Sequence, residues 1–260
     1  IWLDDMQISF AFVSALEIKR SLGIRRGKND AVDALRIAEY AYIRRESISL
    51  SHKPSDVIFQ LRALLGERKQ YVRMRAALLA RKDALHQYES KESIYRREEI
   101  IDKYAEYIAS IDKQMRGLME HDDEIKRNYE LISSVKGIGL VNAINTLVYT
   151  NNFTSFQTPR QYACYCGIAP FEHTSGTSIK GRTAVSKMGN HQLKCELTMA
   201  ARSAIIHDPW MKQYYKRKMM SKGNTPGAHG IVLNAIKFKL IVRMFSVVKS
   251  GIPYKVMAYC

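Results

Sequence analysis

Acidic residues are nearly missing from the second half of this 260-residue chain. Residues 133–260 hold 17 Lys and Arg against three acids, Glu172, Glu196 and Asp208, a net of +14, whereas residues 1–132 hold 24 against 22. A folded domain with so few acids repels itself unless a polyanion offsets the charge. Nucleic acid is the polyanion such a half suits best, because each phosphate neutralised by Lys or Arg releases counterions. Cysteine is also scarce: Cys164, Cys166, Cys195 and Cys260 form one C-x-C and no C-x-x-C pair. A zinc module of paired cysteines is therefore not expected, and the usage suits a reducing cytoplasm. No apolar run approaches the roughly 20 residues that span a bilayer, so no membrane partner is expected. No signal-peptide pattern opens the chain, and its first residue, Ile1, suggests a fragment of a longer protein. Proline is absent between Pro54 and Pro159.

What is present divides into three stretches. In residues 1–54, Ile8 to Val13 ("ISFAFV") reads as a short buried strand. A loop follows at "SLGIRRG". From Asp30 the pattern turns helical, with Val32, Leu35, Ile37, Ala38 and Ala41 opposite a polar face bearing Arg36 and Glu39. Residues 55–132 predict a coiled-coil hairpin. Val57, Leu64, Tyr71, Leu78 and Leu85 recur every seven residues, although Arg68, Arg75 and Lys82 interrupt the seam. Ile101, Tyr104, Ile108, Ile111, Met115, Leu118, Ile125, Tyr129 and Ile132 follow at alternating spacings of three and four, with Asp122 in the one missing slot. "YESKES", Tyr88 to Ser93, is the expected turn between two antiparallel helices. Two core helices of a bundle are the plainer alternative.

Residues 133–260 open with "SSVKGIGLVNAINTLVY", in which Gly137 and Gly139 punctuate two helical patterns. Glycines in a turn that opens a helix let backbone N–H groups approach a phosphate. The arrangement is similar to a helix-hairpin-helix turn; a plain helix connection fits the same letters. Beyond it lie a polar stretch, "HTSGTSIKGRTAVSKMGN", and helical patterns at Leu193–Ile206 and Ile231–Val248. Between those helices "KQYYKRKMMSKGNTPGAHG" reads as a basic, aromatic loop suited to stacking and phosphate contact. The fold class expected is mainly α, with some β.

Two constellations could carry chemistry. Asp30 and Asp33, three apart, share a helix face at about 5–6 Å between Cβ atoms. They read either as acids favoured by the helix dipole or as hard oxygen ligands for Mg²⁺. Ser175, in "HTSGTS", reads as a turn residue or as a nucleophile, with Thr174 and Ser178 as neighbouring hydroxyls. Lys180, Arg182 and Lys187 suit phosphate contact beside it, and Lys28 suits it beside the aspartates.

"GIRRGKNDAVDALRIAEYAY" resembles the K-x-D-x-x-D-A signature of the DEDD transposases of bacterial insertion sequences, the insertion-sequence-one-ten family, which includes Piv-type invertases. "SSVKGIGLVNAINTLV…FQTPRQYACYCGIAP…SGTSIKGRTAVSKMGNHQLKCELTMAARSA" resembles the C-terminal transposase domain of the same family, and the two blocks stand in the family's order. The resemblance implies that residues 1–54 are the C-terminal part of an RNase H-like, RuvC-type domain holding Mg²⁺ through four acids. Asp30 and Asp33 match the last two; the earlier Asp and Glu have no match among the 29 residues before Asp30, so the chain is expected to be N-terminally truncated. The resemblance makes Ser175 the nucleophile that links transiently to DNA in cutting and rejoining. It also implies a structured guide RNA, bacterial cytoplasmic work at the nucleoid, and assembly into a dimer or tetramer through the coiled coil. The rival expectations are an inactive remnant that only binds nucleic acid, a metal-dependent junction-resolving nuclease, and a coiled-coil scaffold.

Overall fold

The computed structural model describes residues 2–23, 29–51, 53–85, 89–175, 179–186, 188–223 and 225–255, with backbone alone at 82–85, 172–175 and 179–183. It divides into two compact units, Ile1–Ser55 and Asp56–Cys260.

In the first unit, α1 (Trp2–Asp5), α2 (Ala15–Ser21) and α3 (Asp30–Arg44) surround little core. The "ISFAFV" run is not the buried strand its composition predicts. Its one β interaction is an isolated bridge, Phe10 to Ser51, and Phe12 is 82% exposed. A strand needs a ladder on at least one side to satisfy its backbone, and among the described residues of this unit only Ser51 offers one. In α3, Asn29 caps the N-terminus by accepting from the Val32 N–H. The face covered by α2 centres on Tyr40, whose hydroxyl donates to Glu17 at 2.6 Å. The expected apolar face is turned the other way, leaving Leu35 and Ile37 exposed.

In the second unit, α4 (Asp56–Leu85) and α5 (Lys91–Met119) form the antiparallel hairpin. Ser90 caps α5, accepting from the Ser93 N–H, so the turn ends three residues before the "YESKES" stretch does. The base of the hairpin is rooted in the main core through Ile58, Leu61, Leu65, Ile111, Met115 and Met119. Further out its seam becomes polar and aromatic. Arg68, one of the interrupting residues, donates to Asp112 across the pair at 2.7 Å, and Tyr71 packs on Tyr104 and Tyr107. Near the tip, Arg97 is buried and paired with Glu89.

The heptad seam does not run unbroken to Ile132. Helix α5 ends at Met119, and Asp122 is the N-cap of α6 (Asp123–Ser133), accepting from the Ile125 N–H at 3.0 Å. The one polar slot in the periodicity is thus a helix start, because a carboxylate there satisfies an N–H that the helix cannot.

A turn through Val135–Gly139 joins α6 to α7 (Leu140–Thr150), and α8 (Pro159–Tyr165) follows behind a Thr158/Gln161 capping box. Strands β1 (Pro170–Ser175) and β2 (Ile179–Val185) then pair as an antiparallel hairpin with an irregularity between Phe171 and His173. Three helices close the unit: α9 (His191–His207), α10 (Pro209–Lys222) and α11 (Ala228–Ser250). Two readings change here. The polar "HTSGTSIKGRTAV" stretch is a β-hairpin, and the basic aromatic "KQYYKRKMMSK" run is helix α10. Asp208 supplies a cap and Pro209 a preset first turn; Trp210 and Tyr214 stack one turn apart, 5.4 Å between centroids. Those local terms outweigh the loop character that the basic and aromatic letters suggest. No described helix is long and apolar enough to cross a membrane.

Candidate functional site

The β1–β2 hairpin carries the candidate nucleophile. Ser175 is the last residue of β1, opposite Ile179, and Thr174 is opposite Lys180. The register therefore sets Lys180 one position from the serine, while Arg182 lies further along β2. Gly176 and Ser178 fall outside the described residues, as do Lys28 and Lys187.

The hairpin is held at its neck by two glycines. Gly167, at φ +65°, precedes β1 and Gly189 follows β2. A Cβ on Gly167 would lie 3.1 Å from the Cα of Gly189, and one on Gly189 would fall within the backbone of Gly167. The Asn190 N–H donates to the Tyr165 carbonyl at 2.8 Å and closes the same neck. The glycines of "CGIAP" and "KMGN" thus have a shared geometric cause: two backbones cross with no room for a side chain. Sequence reading quoted both motifs without assigning either glycine a role.

The two glycines of the α6–α7 turn have different positions. Gly137, at φ +97°, is pressed on α9: a Cβ there would lie 2.6 Å from the Ala200 carbonyl oxygen and 2.8 Å from the Ala204 nitrogen. Gly139 is the N-cap of α7, exposed, with nothing within 4 Å of its missing Cβ and no side-chain cap bond. The first-turn N–H groups of α7 therefore lie beneath a residue with no side chain, the arrangement through which helix N-termini take phosphates. Gly137 permits the helix packing; Gly139 leaves the helix end open.

In the first unit, Asp30 and Asp33 are the first and fourth residues of α3 and both are exposed. Asp33 accepts from the Arg36 guanidinium at 3.2 Å. No group of three or more His, Cys, Asp or Glu gathers as a metal site among the described residues. In donor chemistry the two carboxylates are the hard oxygen ligands that a divalent cation takes.

Basic residues missed in the sequence surround a cavity of about 950 Å³ between α9, α10, α11 and the base of the β-hairpin. Arg160, Lys194, Lys237 and Lys239 line it, with Tyr214 and Phe238. Lys237 is 6% exposed and donates to the Thr198 hydroxyl at 3.1 Å. Burial lowers its pKa from the usual lysine range, and the charge of Lys194 lowers it further. The signal was present: Lys237 interrupts the apolar run "IVLNAIKFKLIV" on the face that α11 buries.

A basic, mainly helical unit with a glycine turn that opens a helix and a β-hairpin beside it suits a protein that handles nucleic acid. Residues 1–88 match the DEDD transposase family of the IS110 type, and residues 129–216 match the transposase IS116/IS110/IS902 family. The chain is 28% identical over 235 residues to the pilin gene-inverting protein of Moraxella bovis, across 90% of this chain and 70% of that protein. The Moraxella lacunata protein of the same name matches to the same extent. It is 29% identical over 159 residues to an uncharacterized 43.6 kDa protein of insertion element IS110 in Streptomyces coelicolor, across 60% of this chain and 38% of that one. The chain belongs to the IS110 family of transposases. The DEDD match implies dependence on a divalent metal.

Proposed function

We propose that this transposase cuts and rejoins DNA by attack of Ser175 on a backbone phosphate. The family match over residues 129–216, with Ser175 at the end of β1 in a half of net charge +14, carries the reading. The serine Oγ–P bond forms as the P–O bond to the departing strand breaks. The hydroxyl proton leaves to solvent or a neighbouring base, and the departing oxygen takes up a proton to become a free hydroxyl. Rejoining reverses these steps with a different strand end. Lys180, Arg182 and Lys187 offset the charge that accumulates on the phosphate. Gly139 and the α7 N-terminus grip a backbone phosphate of the same duplex, and Lys28 makes a further phosphate contact beside α3.

Asp30 and Asp33 would hold Mg²⁺, and the chemistry such an ion supplies in phosphoryl transfer is activation of an attacking oxygen and stabilisation of a leaving one. The α4–α5 hairpin joins copies into a dimer or tetramer. Exposed Val72, Met74, Leu79, Ile100 and Tyr107 along it support that assembly. A structured guide RNA selects the DNA, consistent with a +14 half whose charge exceeds that of its acids by a wide margin, and the work takes place in the bacterial cytoplasm.

The test is denaturing electrophoresis of the protein after incubation with labelled DNA carrying the element's ends and Mg²⁺. A covalent adduct that vanishes in Ser175→Ala and persists in Thr174→Ala and Ser178→Ala is expected. An adduct that survives Ser175→Ala refutes the serine. Cleavage without any adduct points to hydrolysis by water, and binding with neither points to a binding-only protein.

A further inference from the structure

We propose that the cavity between α9, α10, α11 and the base of the β-hairpin receives one unpaired nucleotide of a single-stranded nucleic acid. The proposal rests on the family reading only in taking the polyanion to be nucleic acid; it does not depend on Ser175.

The lining combines two chemistries. Arg160, Lys194, Lys237 and Lys239 are cationic, and no carboxylate is among the described lining residues. Tyr214 and Phe238 are aromatic, and Lys239 lies 4.7 Å from the Tyr214 centroid. A phosphate joined to a planar base matches both, and the volume lies within the range of small-molecule sites. Lys237 is the most telling residue. A buried ammonium whose described partner is a neutral hydroxyl, beside a second lysine, is held in an unfavourable state that an entering phosphate relieves. Structural lysines in an apolar core ordinarily find a carboxylate.

A polymer is favoured over a small anion because the aromatic and cationic surface continues beyond the cavity. Tyr214 lines the cavity and also stacks on Trp210, with 7° between the rings. Lys239 sits over both rings, 5.0 Å from the Trp210 centroid and 4.7 Å from that of Tyr214. Arg217 and Lys218 approach Tyr214 at 5.7 and 5.9 Å. The nearby acid, Asp208, is engaged by Arg243 at 2.6 Å. A track of flat faces and cations is how sequence-tolerant single-strand binding is built. A strand opened near the hairpin would place one base in the cavity and lay the next along α10.

The experiment is fluorescence anisotropy on the full chain with labelled oligothymidylate and oligouridylate, and with a duplex of random sequence. Lys194→Ala, Lys237→Met and Tyr214→Leu are compared with the wild type, folding being checked by circular dichroism. Each variant is expected to weaken single-strand binding about tenfold, within the range of one lost stacking or charge contact, and duplex binding by less than twofold. The lysine variants should also reduce the salt slope by about 0.7 per phosphate lost. The two oligonucleotides show whether DNA or RNA is the preferred source of the nucleotide. Equal losses for duplex and single strand would reduce the cavity to general basic surface. Nucleoside monophosphate competing as tightly as the oligonucleotide would make it a small-anion site. Either result, or no loss in Lys194→Ala and Tyr214→Leu, overturns the proposal. Ser175→Ala should bind both single strands as the wild type does, so an absent adduct with the expected binding pattern removes the serine reading and leaves this one standing.

Discussion

Gly167 and Gly189 cross backbone to backbone at the neck of the β-hairpin, leaving no space for a Cβ on Gly189 and only 3.1 Å for one on Gly167. The crossing fixes where β1 departs and β2 returns, and so where Ser175 stands relative to the helical core. Gly189→Ala must push the two strands apart or tear the Asn190-to-Tyr165 hydrogen bond. A loss of about 1–3 kcal/mol in a urea melt is expected, as for overpacking elsewhere. Adduct formation should fall far more than stability does, because the strands bearing the serine move. Full activity in Gly189→Ala would show that the crossing does not position the hairpin.

The glycine turn allows its two members to be separated. Gly137→Ala meets the Ala200 carbonyl and a φ of +97°, so it should destabilise the protein whether or not DNA is present. Gly139→Asp has open space and becomes a side-chain cap for α7, so thermal stability should hold or rise by a few tenths of a kcal/mol. Its carboxylate would nonetheless stand where a phosphate approaches. Duplex affinity in Gly139→Asp should drop several-fold while its melting temperature does not. If affinity is unchanged, the α7 N-terminus is not a phosphate contact.

Asp208 is wholly buried and joins three elements. One carboxylate oxygen accepts from the Trp210 and Met211 N–H groups, and the other accepts from Arg243 at 2.6 Å. Arg243 in turn lies over Trp210 and Tyr254 at 4.8 and 4.4 Å. Asp208→Asn keeps the cap and strands the guanidinium, for an expected cost of about 3 kcal/mol. Asp208→Ala loses the cap as well and should cost roughly 1 kcal/mol more. Chemical denaturation of both variants checks the order; equal midpoints would mean that the cap contributes nothing.

Periodicity made much of this fold legible and also set its limit. The α5 seam from Ile101 to Leu118 could be read because a heptad repeat persists in one helix, and the α9 and α11 patterns fall inside the observed bounds. The same repeat carried the reading across Asp122, since a cap and a polar core position look alike in a pattern of apolar slots. In α10, basic and aromatic residues hid a helix whose stability comes from Asp208, Pro209 and a ring stack rather than from an apolar stripe. The β-hairpin was illegible for a related reason: its alternation is polar, and its neck is set by a contact between glycines 22 positions apart. Of the candidate site, Asp30, Asp33 and Ser175 are proposed through motif resemblance. Lys194 and Lys237 escaped because tertiary packing alone brings α9 and α11 to one cavity.

Cys166 gives a pH dependence whose sign can be worked out. Burial raises its pKa from 9.0 to about 12, against a smaller lowering by the Tyr162 hydroxyl bond. A group whose pKa is raised on folding stabilises the protein fully below its unfolded value and loses that contribution as pH climbs to the folded one. The contribution is thus complete at neutral pH and drains away between pH 9 and 12. Cys166→Ala is expected to be less stable than the wild type at pH 8, through a small cavity, but to decline less as pH rises. The gap between the two should narrow by the order of 1 kcal/mol per pH unit above pH 9, read from urea midpoints at pH 8, 9 and 10. The wild-type thiol should resist alkylation throughout that range while exposed Cys195 reacts. A constant gap, or equal alkylation of the two cysteines in the folded protein, would place Cys166 in contact with solvent.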